Sequence, residues 1–362
     1  MIIKSRHIIL NIFLIFACIL PEVIFATVDD DFKKAESLGN FVVVIGETDD
    51  SIVSKLYEKK FIKNEKFFNL ILDIAKLHGK IKPGGYKINA NMNELQIIKV
   101  LISDPYMRWI VIPEGFRKEE IAELISKEFK WNEKQKAEWL YEITESREDY
   151  VEGVYFPDTY LFPSNETGQQ IAQRMINRFN EKFSDYSQKF VNKNIKWTTA
   201  LKIASLVQRE SASKDDMPII AGIIWNRLEK DMKLDIDATV QYIRDSRQHT
   251  NASLCKVKDS IIWKNNLCFQ SNILDYPFLY ISSGDWWKTI TVEDKKIDSS
   301  YNTYIYKGLP SYPISNPGIS AIDATLNPAE TKCIFYLHDN NKKIHCAETY
   351  EEHLKNINDY LK

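Results

Sequence analysis

Apolar residues along the chain fall into periodic runs, and the period of each run predicts an element. Phe41–Gly46 (FVVVIG) has the length and content of a strand. Ser51–Tyr57 and Lys66–Leu77 carry helical spacing, and in the second of these Phe67, Leu70, Ile71, Ile74 and Leu77 form the expected buried face. KPGGYKI supplies a turn and a short strand. Asn93 stands where a helix N-cap belongs, ahead of Leu95, Ile97, Ile98 and Leu101. Residues 41–103 therefore read as a small β-α-α-β-α unit.

A second unit opens with RWIVIPEGF, a strand running to Gly115, followed by a helix carrying Ile121, Leu124 and Ile125. Glu152–Pro163 (EGVYFPDTYLFP) reads as an aromatic, turn-rich connection. Gly168–Phe183 is a helix, with Ile171, Met175, Phe179 and Phe183 at every fourth position. Thr198 or Thr199 is the expected cap of the next helix. Pro218 sits in the first turn of another, which turns Ile219, Ile220, Ile223, Ile224 and Leu228 inward. Arg244–Ile297 is irregular. A helix over Ala321–Leu326, a hairpin from Cys333 to Cys346 around DNNKK, and a helix from Glu348 close the chain.

One position breaks the pattern. In ALKIASLVQRESA the apolar face of the helix carries Ile203, Leu206 and Val207, and the next position on that face is Glu210. Amphipathic helices place charge on the opposite side. An ion pair with Arg209 or Arg227 would make this an ordinary helix end. Without such a pair, desolvation disfavours the ionised carboxyl and raises its pKa, which suits a group that donates a proton to a leaving oxygen.

Composition narrows the setting. The chain has 362 residues, 44% of them hydrophobic and 27% charged, which describes a globular protein of two or three domains. Lys+Arg at 48 against Asp+Glu at 50 gives a net charge of -2, and no basic surface for nucleic acid is expected. Lys4 and Arg6 precede an apolar stretch from Ile8 to Val28, and Asp29, Asp30 and Asp31 follow it. This orients the N-terminus toward the cytoplasm and the body of the protein outward. Either a signal peptide cleaved near Ala26 or an uncleaved anchor over residues 8–28 fits, and the near-span length favours the anchor. Export permits disulfides. Cys333–Cys346 and Cys255–Cys268 are the candidate pairs, with buried free thiols as the alternative.

The histidines are scattered, with no HExxH, CxxC, GxSxG or phosphate loop, so neither a metal nor a cofactor is expected. Polar residues cluster beside turns at Asn226 and Arg227, at Asp237, Thr239 and Tyr242, and at Asn302, Thr303 and Tyr304. Asn, Thr and Tyr bind sugar hydroxyls without charge, so these residues are candidates to line a groove around Glu210. Each is also a common turn or cap residue.

Several stretches carry a specific resemblance: IPEGF, EGVYFPDTYLFP, ASLVQRES, IAGIIWNRLEKDMKLDIDATVQY, SSYNTYIYKGLPSYPISNPG and ATLNPAETKCIFYLHDNNKKIHCAETYEEH. In this order they resemble the endolytic murein transglycosylase, or YceG-like, family, and they span nearly everything after Arg108. Residues 41–103 are similar to that family's LysM-like subdomain. The resemblance implies that Glu210 is the catalytic acid. It implies cleavage of the MurNAc–GlcNAc β-1,4 bond inside nascent peptidoglycan strands, leaving 1,6-anhydro-MurNAc ends and terminating elongation. It also implies a single-pass protein of the cytoplasmic membrane, with its catalytic domain outside and peptidoglycan synthases as partners. Residues 244–297 look longer than the family's usual connection, and Cys346 stands where an aromatic residue is common.

The expected architecture is thus α+β: an N-terminal membrane segment (1–28), a small LysM-like β-α-α-β module (41–105) and a mixed α/β catalytic domain (106–362). Two other functions remain open. One is a muramidase-type hydrolase using Glu210 with Asp235 or Asp237. The other is a non-catalytic wall-binding scaffold in which Glu210 is structural.

Overall fold

A computed structural model describes residues 39–147, 150–254 and 285–361. The apolar stretch 8–28, the Cys255–Cys268 pairing and most of the irregular 244–297 segment lie outside the described residues. Among the described residues no helix is long and apolar enough to cross a membrane. The described residues form two compact units, one of those up to 112 together with 158–166, the other of the rest.

The first unit contains β1 (Phe41–Val43), α1 (Asp49–Glu58), α2 (Glu65–Ala75), β2 (Gly84–Tyr86), α3 (Glu94–Leu101), β3 (Met107–Val111) and, after an excursion of the chain, β4 (Thr159–Pro163). The strands pair antiparallel in the order β1-β2-β3-β4. Helix starts follow the capping rule: Thr48, Asn64 and Asn93 each accept a backbone N–H of the first turn, and Asn93 forms a capping box with Gln96. Phe41, Val43, Ile52, Leu56, Phe68, Leu72, Tyr86, Ile97 and Leu101 make the core.

Two expectations change here. Helix α2 buries Phe68 and Leu72, while Phe67, Leu70 and Ile74 face outward. Apolar residues surround most of this helix, so periodicity alone could not choose the face, and a short helix on a small sheet covers a narrow stripe. The stretch read as turn-rich contains β4, which pairs along the whole of β3 from Met107↔Pro163 to Val111↔Thr159. Tyr160 and Phe162 alternate onto one face and stack at 5.2 Å.

The second unit is mostly helical: α4 (Lys118–Phe129), α5 (Glu133–Glu138) running into a π-helical turn at Trp139–Ile143, α6 (Gly168–Asn192), α7 (Trp197–Glu210), α8 (Met217–Glu229), α9 (Asp237–Leu254) and α10 (Ile319–Leu326). A hairpin of β5 (Phe335–His338) and β6 (Ile344–Ala347) and helix α11 (Tyr350–Tyr360) follow. Helix α6 continues beyond Phe183 because Phe190 extends its buried stripe. Helix α7 starts earlier than expected, with Lys196 at the N-cap position rather than Thr198 or Thr199.

Helix α8 fixes the hairpin. Gly222 lets the strand-ward chain approach, since a Cβ there would lie 2.5 Å from the Ala329 carbonyl. One turn on, Asn226 Nδ2 donates to the Thr331 and Cys333 carbonyls at 2.7 and 3.0 Å. Arg227 Nε donates to the Ile334 carbonyl at 2.6 Å and Nη1 to the Leu234 carbonyl at 2.5 Å. The Cys333–Cys346 disulfide forms, with Cα atoms 5.8 Å apart.

Glu152 is the polar centre of this unit. It is fully buried, and both of its carboxyl oxygens lie 3.1 Å from the Lys118 N–H, while Asn316 Nδ2 donates to Oε1 at 2.6 Å. Asn316 also donates to the Phe116 carbonyl and accepts from the Tyr155 N–H. Chain segments distant in sequence are thus tied through one carboxyl. Glu152→Ala would leave buried donors unmatched and should destabilise the fold by about 3 kcal/mol or more. Glu152→Gln keeps an acceptor and should recover most of that loss; urea denaturation of the two variants measures both.

Candidate functional site

Glu210 ends α7, immediately beyond the fully buried Leu206 and Val207. Neither Arg209 nor Arg227 pairs with it among the described residues. Its Oε2 instead accepts from the Tyr336 hydroxyl at 2.5 Å, and the backbone N–H of Ala238 also donates to it. Three elements therefore meet at this carboxyl: the C-terminal end of α7, the first turn of α9, and β5.

The electrostatics are opposed. Burial raises the Glu210 pKa above its ordinary value, and the Asp237 carboxylate raises it further. The Tyr336 hydroxyl, the Ala238 N–H and His338 favour the ionised form and offset part of that rise. The macrodipoles divide in the same way, since α7 presents its negative end and α9 its positive end. The net shift is upward, so Glu210 keeps its proton to higher pH than an exposed glutamate.

Residues around the carboxyl are held from behind. His338, two along β5 from Tyr336, places Nε2 2.8 Å from Asp216 Oδ2. Asp216 also accepts from the N–H groups of Ala212 and Ser213, both at 3.0 Å, and so shapes the loop that leaves Glu210.

Of the residues expected to line a groove, Asp237 and Tyr304 have polar ends beside Glu210, and the Tyr304 hydroxyl donates to the Asp237 carboxylate. The Asp237 charge acts on Glu210 and on Tyr304, and burial with the Asp237 hydrogen bond keeps the Tyr304 hydroxyl protonated. The others hold the scaffold. Asn302 is fully buried, donates to the Lys295 and Ile297 carbonyls, and accepts from the Tyr304 N–H. Thr303 accepts from the Ile236 N–H at 3.0 Å, and its hydroxyl lies 3.0 Å from that of Thr239. Asn226 and Arg227 grip the hairpin entry as described above. Tyr242 is buried, with its ring 4.1 Å from the Arg117 guanidinium and its hydroxyl 3.4 Å from Glu152. A buried polar group must be paired, and here the pairing is internal. Asp235 is exposed, with Arg227 Nη1 at 3.8 Å.

Sequence reasoning missed Tyr336, His338 and Asp216. Tyr336 and His338 alternate within CIFYLH, inside the expected hairpin, and that alternation was the available signal. It missed as well the polar and aromatic cluster beside α7. Arg117 is wholly buried; it donates from Nε to Glu119 at 2.6 Å and from Nη2 to the Ser246 hydroxyl at 2.5 Å, and its guanidinium lies 4.7 Å from the Trp286 ring. Trp287, next along the irregular segment, donates Nε1 to Glu120 at 2.9 Å and stacks on Arg209 at 3.8 Å. Among the described residues no three His, Cys, Asp or Glu side chains converge as metal ligands.

The sequence profile of the YceG-like family matches residues 41–359. The chain belongs to this family. An endolytic murein transglycosylase of Bacillus subtilis is 27% identical to this YceG-like chain over 351 residues, covering 91% of the chain and 86% of the relative. A Streptococcus pneumoniae protein of the same name is 23% identical over 367 residues, covering 92% of the chain and 60% of the relative. The crystal structure of a YceG-like protein from Listeria monocytogenes superposes with a TM-score of 0.57 at 24% identity, covering 87% of this chain and 97% of that one. That likeness extends to the fold.

The opposed influences on Glu210 make two variants move its titration in opposite directions. Tyr336→Phe removes a donor to the carboxylate and should raise the Glu210 midpoint. Asp237→Asn removes a neighbouring negative charge and should lower it. Carbon-13 NMR of glutamate-labelled protein across a pH series reads both; equal midpoints in all three proteins would contradict the electrostatic account.

Proposed function

We propose that this YceG-like protein is an endolytic murein transglycosylase and that Glu210 is its general acid. The observation that carries the proposal is a desolvated carboxyl at the end of an apolar helix face, its proton affinity raised by burial, with a hydroxyl and an N–H placed to meet the anion. Protonated Glu210 donates to the glycosidic oxygen between MurNAc and GlcNAc as the anomeric carbon gains oxocarbenium character. The new carboxylate is met by Tyr336 and the Ala238 N–H. It then takes the proton of the MurNAc 6-hydroxyl, whose oxygen closes on the anomeric carbon. The bond broken is C1–O4, the bond formed is C1–O6, and no water is consumed. An intramolecular nucleophile removes the need for the second carboxylate of ordinary glycosidases. Asp237 and Tyr304 supply the polar wall beside the sugar.

The first unit serves as a LysM-like module on the glycan. The apolar stretch 8–28 anchors the chain in the cytoplasmic membrane, with both units outside and synthases of the wall as neighbours. The Cys333–Cys346 disulfide supports an oxidising compartment. If the anchor is uncleaved, protein from the membrane fraction begins at its original N-terminus; a mature chain beginning at Thr27 would mean a signal peptide instead.

Glu210→Gln keeps the side-chain shape and removes the proton. It should fold normally and lower production of anhydro ends by several orders of magnitude, read by mass spectrometry of digested strands. Near-normal anhydro ends from this variant would overturn the acid assignment. Reducing ends from the wild type would indicate a hydrolase working with Asp235 or Asp237, and absence of cleavage a wall-binding scaffold.

A further inference from the structure

Arg209 is the neighbour of Glu210 in sequence, yet it plays no part in the chemistry just described. It is half-buried, and its Nε is fully buried without a hydrogen-bond partner. Among the described residues it makes no hydrogen bond and no ion pair. Its guanidinium lies over the face of Trp287, 3.8 Å from the ring centroid. Burial depresses its pKa and Arg117 adds to that; the charges of Glu120 and Glu210 oppose it.

The surroundings are built to keep this guanidinium where it is. Trp287 has φ of 64°, in the left-handed region, and is fixed there by three bonds. Its N–H donates to Asp245 at 2.8 Å, its carbonyl accepts from Gln241 at 3.1 Å, and its indole donates to Glu120 at 2.9 Å. Glu120 Oε2 takes both the indole and the Arg117 N–H, the latter at 3.1 Å; the Glu120 charge acts on Arg209, but no hydrogen bond or ion pair joins the two among the described residues. On the other side Gly115, at φ 80°, leaves room: a Cβ there would lie 3.6 Å from Arg209 Nη1. A planar cation held flat on an indole, with its Nε unmatched and no carboxylate hydrogen-bonded to it among the described residues, can take up a further anion.

We infer that Arg209 is an anion-binding subsite that takes a carboxylate of the murein strand beside the scissile bond. The inference rests on the reading of the protein as a murein transglycosylase. Consecutive helix residues have Cα atoms about 3.8 Å apart but point about 100° away from each other. Arg209 therefore faces a neighbouring part of the substrate rather than the glycosidic oxygen itself. The sugar backbone is neutral. Its anions are carboxylates: the lactyl group on the MurNAc ring when the peptide is absent, or those of the stem peptide attached through it. Either lies on the sugar that supplies the anomeric carbon or on its appendage. A guanidinium fork matches a carboxylate in two hydrogen bonds, which a lysine at this place could not do. The subsite would recognise the MurNAc side of the bond by charge, while Glu210 acts on the bond itself.

The test uses purified glycan strands in two forms, with stem peptides and with the peptides removed by an amidase. Each form is prepared with free carboxylates and with carboxylates capped as methylamides. Wild type, Arg209→Gln and Arg209→Lys are compared by kcat/KM for anhydro ends. Capping should reduce the wild-type value roughly tenfold or more, the scale of a charge-assisted pair. Arg209→Gln should already show that reduction on free-carboxylate strands and be indifferent to capping; Arg209→Lys should keep part of the response. A capping effect on amidase-treated strands assigns the lactyl carboxylate, and one confined to peptide-bearing strands assigns the stem peptide. Cleavage by the wild type that ignores capping overturns the subsite and leaves the transglycosylase reading standing. So does a capping effect of equal size in wild type and Arg209→Gln. Should Arg209→Gln fail to fold, the wild-type and Arg209→Lys responses decide the matter. A wild type that makes no anhydro ends from any strand would remove the underlying activity and the subsite with it.

Discussion

The buried guanidinium of Arg117 is the constraint around which the second unit is arranged. A charge with no access to water is strongly unfavourable unless it is paired and hydrogen-bonded. Burial works against the charge on Arg117, and its pairing with Glu119, aided by Tyr242 and Glu152, more than restores it. Meeting that requirement brings together the start of α4, the α9 carbonyl of Tyr242 and the Ser246 hydroxyl, with the rings of Tyr242 and Trp286 closing over the faces. Once these are in register, α9 is fixed with its first turn at Glu210, and Trp287 is fixed under Arg209. The candidate site inherits its geometry from a cation that takes no part in the reaction.

Glu210 illustrates how few groups are needed to set a proton affinity. Its environment is a balance of burial and one like charge against one hydroxyl, one amide and one imidazole. The donors come from different elements, α9 and β5, so the affinity reports on their joint placement. Without them the carboxyl would hold its proton to higher pH, and with more donors it would release it at lower pH.

How much of this was legible in the sequence follows from which forces act locally. The misfit of Glu210 on an apolar face was readable because a helix has a fixed period and α7 lies alone in its window. The hairpin was readable from the residues flanking a turn, whereas the same two cysteines fitted a disulfide or free thiols until the strands paired. Caps such as Asn93 are local chemistry, and that one stands where it was read. The buried face of α2 was not readable, since apolar residues lie around most of it and the sheet that chooses between them is built from distant strands. Strand β4 was hidden for a related reason: Pro157 and Pro163 look like punctuation until β3 supplies the pairing partner. Asn302 and Thr303 looked like ligands because a residue that satisfies a buried turn has the same chemistry as one that binds sugar. The Trp286–Trp287 pair could be seen but not placed, because its partners on α4 and α7 lie far away along the chain.

The bond from Tyr336 to Glu210 spans 126 residues. Contacts of such separation form only after the loop between them has closed, which makes them late and slow relative to helix formation. Helix α7 can be complete while the carboxyl at its end still lacks its hydroxyl partner. During synthesis the hairpin emerges after α8, whose Asn226 and Arg227 grip its entry. The tuning of the acid is therefore complete only once the chain has been made through the hairpin. A chain truncated shortly before Tyr336 would carry Glu210 in a well-formed helix and yet have the wrong proton affinity.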